Sequence, residues 1–193
     1  MRTAIRLTQA HFHDVAGHFL ALSRRDRLLR FGLEMSDVQI VAYVDSLFAS
    51  NDSAFVVVEP NRDVSGALHL ESMGFGVTVG LSVSSWARSL GIGTLLLERA
   101  AATARARGIK ALFVRNLNGN TGLQQVALRA GMTVVCAPNA LITQLEVPAA
   151  NDHSVDCDGF AGKITLADDS LRPQWNGRWR DAPMLELPEP VLL

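Results

Sequence analysis

At 193 residues the chain fits one domain and is long enough to bury a substantial core. Hydrophobic residues make up 48% and charged residues 19%, a balance that excludes wholesale disorder. The formal charge of −1 excludes an overall field drawing the protein to nucleic acid or an anionic membrane, so any anion site must be local.

Ala4 to Leu7 reads as a first strand. A helical pattern begins at Thr8, with Phe12, Val15, Phe19 and Leu22 at spacings of three and four. Ser23 to Phe31 reads as a polar, arginine-rich connection carrying Arg24, Arg25, Asp26, Arg27 and Arg30. Ser36 with Gln39 three residues on is a capping box that opens a second helix through Ile40, Val41, Tyr43, Val44 and Leu47. Three strands are expected next, over 54–59, 64–72 and 77–83, the first two joined by the Pro60-Asn61-Arg62-Asp63 turn. In the second of these Leu68 and Leu70 share one face, and Ala67, His69 and Glu71 the other. The period then changes to a helix over 94–107 stopped by Gly108, a short strand over 111–115, and a helix over 121–130 closed by Gly131. Strands over 132–136 and 141–147 complete a mixed α/β domain spanning 1–147. Residues 148–193, with Trp175 and Trp179 among arginines and prolines, read as a C-terminal arm. Those tryptophans suit an anchor onto the arm's own domain, or onto a second copy as a homodimer, better than base stacking, so no nucleic-acid partner is expected.

Cys136 and Cys157, the only cysteines, share no metal spacing, and His11 and His13 face different directions, so no metal site is expected. The absence of a leader-like or membrane-spanning apolar run leads to the expectation of a soluble, cytoplasmic protein without a membrane partner.

The chemistry concentrates at Val83 to Thr94, where a strand, the turn Arg88-Ser89-Leu90-Gly91-Ile92-Gly93 and a helix follow one another. A helix N-terminus presents unpaired N–H groups and partial positive charge, and glycines let a phosphate approach the backbone. This makes a pyrophosphate cradle without net positive charge. No Gly-Lys-Ser/Thr follows, so it is not a Walker loop, and the third glycine of a dinucleotide fingerprint is missing. A side chain at Gly91 or Gly93 is expected to occupy the phosphate position.

That turn resembles the Arg/Gln-x-x-Gly-x-Gly/Ala signature of the GNAT superfamily of acetyltransferases. The preceding strand, the alanine- and leucine-rich helix, the strand ending at Asn116, and Asn120 before a helix closing at Gly131-Met132 follow the family order. Leu22-Ser23 through Asp26-Arg27-Leu28-Leu29-Arg30-Phe31-Gly32 is similar to a segment of bacterial protein-lysine acetyltransferase domains. The resemblance implies the GNAT acyl-CoA N-acyltransferase fold, with a C-terminal extension, and acetyl-coenzyme A as co-substrate. It implies pyrophosphate contacts from Arg88, Ser89, Leu90, Gly91, Ile92, Gly93 and Thr94. Leu81, Ser82 and Val83 would pair with the pantetheine arm, and Asn120 would bond its far end. The acceptor it implies is a small-molecule amine or a protein lysine. Two positions depart from the family: Ala127 stands where many relatives carry a tyrosine acid, and Thr78 where many carry a glutamate. Glu71 is the expected catalytic base, with His69, Glu34 and Asp37 as other candidates. The alternative is a non-catalytic acyl-CoA-binding module of the same fold.

Overall fold

A computed structural model describes residues 2–50, 52–73, 76–115, 117–135 and 142–149. The cysteines, Asn116, the Pro138-Asn139 turn, the tryptophans of the arm and all of 150–193 lie outside the described residues.

Strand β1 (Ile5–Arg6) leads through a 3-10 turn (Gln9–His11) into helix α1 (Phe12–Leu20). His11 belongs to that turn, where its Nδ1 accepts from the Thr8 N–H at 3.1 Å. Val15, Phe19 and Leu22 are buried together, as their spacing requires. The next segment corrects the sequence reading: 24–31 is not a connection but a helix, α2 (Arg24–Phe31). Ser23 caps it, accepting from the Asp26 N–H, and Gly32 closes it at φ 78°, in the left-handed region that favours glycine. Arg24 and Arg25 face outward while Arg27 and Arg30 take inward positions, so no apolar periodicity marks the helix, whereas Ser23, Asp26 and Gly32 supplied start and stop signals. Helix α3 (Asp37–Ala49) opens on the expected capping box, with Ser36 N–H donating to Gln39 Oε1 at 2.9 Å.

Strands β2 (Ser53–Val58), β3 (Val64–Met73) and β4 (Gly76–Val83) form an antiparallel meander. Helix α4 (Ile92–Ala106), strand β5 (Ala111–Arg115), helix α5 (Thr121–Arg129), β6 (Thr133–Val135) and β7 (Ile142–Glu146) follow. The seven strands lie in the order β1-β2-β3-β4-β5-β7-β6, mixed because β4 and β5 run parallel. Both faces are covered. Leu68, Leu70, Val79, Leu112 and Val114 pack against Leu96, Leu97 and Ala100 of α4. Val56, Val64 and Ala67 pack against α1 and α3 through Val15, Phe19, Ile40 and Val44. Burial on two faces explains why β3 is apolar for most of its length. No described helix is long and apolar enough to cross a membrane.

The feature that positions the site lies mid-sheet. β4 and β5 pair at Val77–Leu112 and Thr78–Phe113 and no further. Beyond Thr78 that edge of β4 has no strand partner, so the sheet splits and opens a passage from one face to the other.

Candidate functional site

The split is continuous with the turn before α4. After Val83 the chain is held to β3 by the Ser84 N–H donating to Ser65 O at 3.0 Å, and it makes a 3-10 turn over Ser85–Ala87. Ser89 (φ 65°) and Gly91 (φ 78°) both adopt left-handed backbone, and Gly91 is the N-cap of α4. Alternation of this kind turns successive N–H groups toward one point. No side chain caps α4, so the N–H groups of Ile92, Gly93 and Thr94 have no intrahelical acceptor and are available to an anion. Ser89, Leu90 and Gly91 are exposed.

The two glycines have different jobs. A Cβ on Gly91 would meet nothing within 4 Å, so it would project into open space beside the turn. A Cβ on Gly93 would instead lie 3.1 Å from Cγ1 of Val126 on α5. The expectation that a side chain at 93 would fill the phosphate position is therefore corrected: Gly93 lets α4 approach α5.

Arg88 does not point alone into solvent. Its Nη2 lies 2.7 Å from Asp26 Oδ1 on α2. Burial pushes the Asp26 carboxyl upward, but hydrogen bonds from Ser23 and Arg88 outweigh it and hold the group below the usual carboxylate range. Asn120 caps α5, its Oδ1 accepting from the Leu123 N–H at 3.0 Å. With that oxygen engaged, Nδ2 is the atom it can offer a ligand. Leu81 and Val83 pack toward α4, and Ser82 is buried on the opposite face.

On that opposite face the passage is lined by Arg30, Tyr43, His69, Glu71, Thr78 and Gly80, and on the α4 side by Leu81, Val114 and Leu123. Register explains the grouping, since Glu71 pairs opposite Thr78 and His69 opposite Gly80, and direct cross-strand partners share a face. Glu71 is exposed, its Oε2 3.4 Å from Thr78 Oγ1. Glu34 and Asp37 are not brought here: Glu34 pairs with Arg24 at 2.6 Å, and Asp37 with Arg27 at 2.7 Å. Arg27 also donates to the carbonyls of Leu20, Leu22 and Met35, fastening α1 to α2. Of the arginine cluster, Arg30 alone lines the passage. Its guanidinium lies 4.9 Å from the Phe31 ring centre, 5.4 Å from Tyr43 and 5.7 Å from Phe19. A Cβ on Gly80 would overlap its Nη1. Among the described residues no carboxylate pairs with Arg30.

Sequence reasoning had not connected Tyr43 to this site. Its hydroxyl accepts from Arg30 Nη2 and lies 3.0 Å from His69 Nδ1. A helical tyrosine and a strand histidine 26 residues apart meet only through the tertiary fold. Ala127, by contrast, is fully buried in the core under α4, so that position does not present a group to the passage.

His18 of α1 braces the same sheet from below. Its Nε2 lies 2.8 Å from Ser82 Oγ, and its Nδ1 2.9 Å from Ser84 Oγ and 3.1 Å from Val64 O. Ser84 Oγ donates to Val64 O, so the consistent arrangement has Nδ1 as donor and Nε2 accepting from Ser82. Burial drives its pKa down to about 4, a hydrogen bond to Val64 O opposes this, and Arg30 adds repulsion.

With this geometry in place, the comparisons with known proteins are specific. The model of the Acetyltransferase (GNAT) family matches residues 18–132, which include α2, the split and the turn. The GNAT domain of PAT from S. lividans is 18% identical, with a TM-score of 0.63 over 74% of this chain and 88% of that one. A phosphinothricin acetyltransferase from Sinorhizobium meliloti, in complex with AcCoA, is 14% identical, with a TM-score of 0.57 over 75% and 86%. A spermidine N-acetyltransferase from Vibrio cholerae, in complex with CoA and spermine, is 10% identical, with a TM-score of 0.53 over 75% and 92%. No curated protein sequence matches the chain significantly.

Proposed function

Because the chain belongs to the acetyltransferase (GNAT) family, we propose that it moves an acetyl group from acetyl-coenzyme A to an amine held in the passage between β4 and β5. The observation that carries this reading is the uncapped start of α4, entered through left-handed Ser89 and Gly91 and continuous with the unpaired edge of β4. The N–H groups at Ser89 to Thr94 receive the pyrophosphate. The free edge at Leu81, Ser82 and Val83 receives the pantetheine arm as a strand would, one N–H polarising the thioester carbonyl. Asn120 Nδ2 steadies its far end.

The acceptor enters from the α1–α3 face. A lysine-like amine is only about 0.04% neutral at pH 7, so a first proton must leave before it can attack. Glu71, exposed at the mouth beside Thr78, takes that proton directly or through water. The acceptor class is an amine on a small molecule, suggested by the spermidine enzyme of like fold, or a protein lysine, suggested by the likeness of Leu22 to Gly32 to bacterial protein-lysine acetyltransferase domains. The catalytic domain is taken to end at Val147, with 148–193 as an appended arm.

Thiol release from acetyl-coenzyme A against a panel of polyamines, amino acids and lysine peptides tests this. Acetyl-coenzyme A-dependent release with at least one amine is expected. A second reading, an acyl-CoA-binding module without turnover, draws on Ala127 and Thr78, neither of which is an acid or base. Binding without release across the panel would favour it.

A further inference from the structure

We propose that Tyr43, His69 and Asp52 form a proton relay on the acceptor side of the split, taking the amine's second proton and returning it to the leaving sulfur. The proposal rests on the acetyl-transfer reading above. Three separate segments converge: Tyr43 comes from α3, Asp52 from just before β2, and His69 from β3. Tyr43 Oη lies 3.0 Å from His69 Nδ1, and His69 Nε2 lies 3.5 Å from Asp52 Oδ2.

Hydrogen-bond direction along this chain is set from its ends. Arg30 has only donors, so at Tyr43 Oη it occupies a lone pair and leaves the phenol's own hydrogen for His69 Nδ1. Nδ1 is then the acceptor nitrogen, which puts the remaining ring hydrogen on Nε2, facing Asp52. Burial raises the Asp52 carboxyl, but His69 and the Ser72 N–H, which donates to Oδ1 at 3.0 Å, more than offset this and hold it below the usual range. Asp52 is thus an anion. Burial pushes the Tyr43 phenol up, with Arg30 opposing, so the resting group carries its proton. The order is O–H to nitrogen, then an Nε2 hydrogen on the Asp52 side at 3.5 Å, a charge contact that becomes a hydrogen bond only if the two groups close up, so that an imidazole accepting a proton does so beside a fixed negative charge.

Its location fits the need. Tyr43 and His69 line the passage, and His69 sits opposite Gly80, just past the last β4–β5 pairing. Thr78 and Ala127 supply no acid or base, so the second proton needs another route. The charged groups facing the relay are Arg30 from α2, Asp52 and Glu71; the β4 residues opposite, Thr78 and Gly80, carry none.

After Glu71 has removed the first proton, the amine nitrogen bonds to the thioester carbon. Its remaining excess proton passes to Tyr43 Oη as the Tyr43 proton moves to His69 Nδ1, leaving an imidazolium beside Asp52. The carbon–sulfur bond breaks with its electron pair on sulfur. The proton returns from His69 through Tyr43 to that sulfur, giving the amide, the thiol and a restored relay, and Glu71 releases the first proton to solvent. One group thereby serves first as base and then as acid.

Tyr43 could instead serve only to tie α3 to β3, and rescue separates the two roles. With acetyl-coenzyme A and the best amine of the panel, Tyr43→Phe should lower kcat by about 10²-fold or more while keeping the stabilisation by acetyl-coenzyme A. His69→Ala should lose as much and regain at least tenfold with added imidazole, whereas His69→Gln, with the space filled, should not. Wild-type kcat in Tyr43→Phe, or a folded, acetyl-coenzyme A-binding His69→Ala that imidazole leaves unchanged, overturns the relay alone. A wild-type protein that binds acetyl-coenzyme A but acetylates no amine overturns the transfer reading, and the relay with it.

Discussion

Asp26 and Arg88 meet at 2.7 Å, and the pair ties α2, which carries Arg30 into the passage between β4 and β5, to the turn before α4 that we propose as the pyrophosphate site. The Arg88 side chain is about half exposed, so the pair stabilises by at most about 1 kcal/mol, and salt weakens it. Its effect lies in holding two walls of the site in register. Asp26→Ala and Arg88→Ala are each expected to raise the acetyl-coenzyme A dissociation constant about 2- to 5-fold. The double variant should be no worse than either single one. Titration across this double-mutant cycle measures the coupling, and strict additivity would show that the pair is not acting as a unit.

The two glycines of the turn should fail in different ways. Gly93→Val is expected to lose about 1–3 kcal/mol of stability through overpacking against Val126. Gly91→Val strains a left-handed backbone by about 1–2 kcal/mol, and its side chain enters the open space beside the turn. It should abolish stabilisation by acetyl-coenzyme A at a denaturant concentration where the protein remains folded. Equilibrium unfolding with and without ligand distinguishes them.

His18 makes the fold acid-sensitive. Its folded pKa, about 4, lies below the 6.5 of an unperturbed histidine, so the unfolded chain binds the proton first. Its contribution to stability is complete above pH 6.5 and is lost as pH falls from there toward 4, amounting to roughly 3 kcal/mol. His18→Gln removes the titrating group. The difference in unfolding free energy between wild type and this variant should therefore shift against the wild type over that window. A difference independent of pH would contradict the buried neutral imidazole.

Placing a tyrosine at 127 should harm rather than help. Ala127 is fully buried under α4, and Ala127→Tyr would force a ring into a filled core. A loss of about 1–3 kcal/mol, and no gain in turnover, is expected from thermal unfolding and thiol-release assays.

Much of this architecture was legible because local signals agreed with the final fold. The Ser36–Gln39 box opened α3, Gly108 and Gly131 adopted left-handed backbone after α4 and α5, and Val77, Val79, Leu81 and Val83 shared the α4 face. The tight turn opening a helix at Ser89 to Gly93 was legible, although not the packing role of Gly93, which depends on Val126 in another helix. Helix α2 was missed because four of its eight residues are arginine and two of them, Arg27 and Arg30, face inward, so only its caps marked it. Glu71 could be placed on the face it shares with His69 by strand alternation alone. The convergence of Tyr43, His69 and Asp52 could not, because no periodicity links a helix, a strand and the residue before a strand.

The central claim is that main-chain N–H groups at the start of α4 hold the pyrophosphate, and hydrogen exchange reads those groups individually. With saturating acetyl-coenzyme A, exchange should slow at Ser89 to Thr94 and along Leu81 to Val83, while β2 and β7 remain unchanged. Gly91→Val should erase the protection at the turn. Binding that leaves exchange at Ser89 to Thr94 unaltered, or that protects another part of the chain instead, would contradict the account.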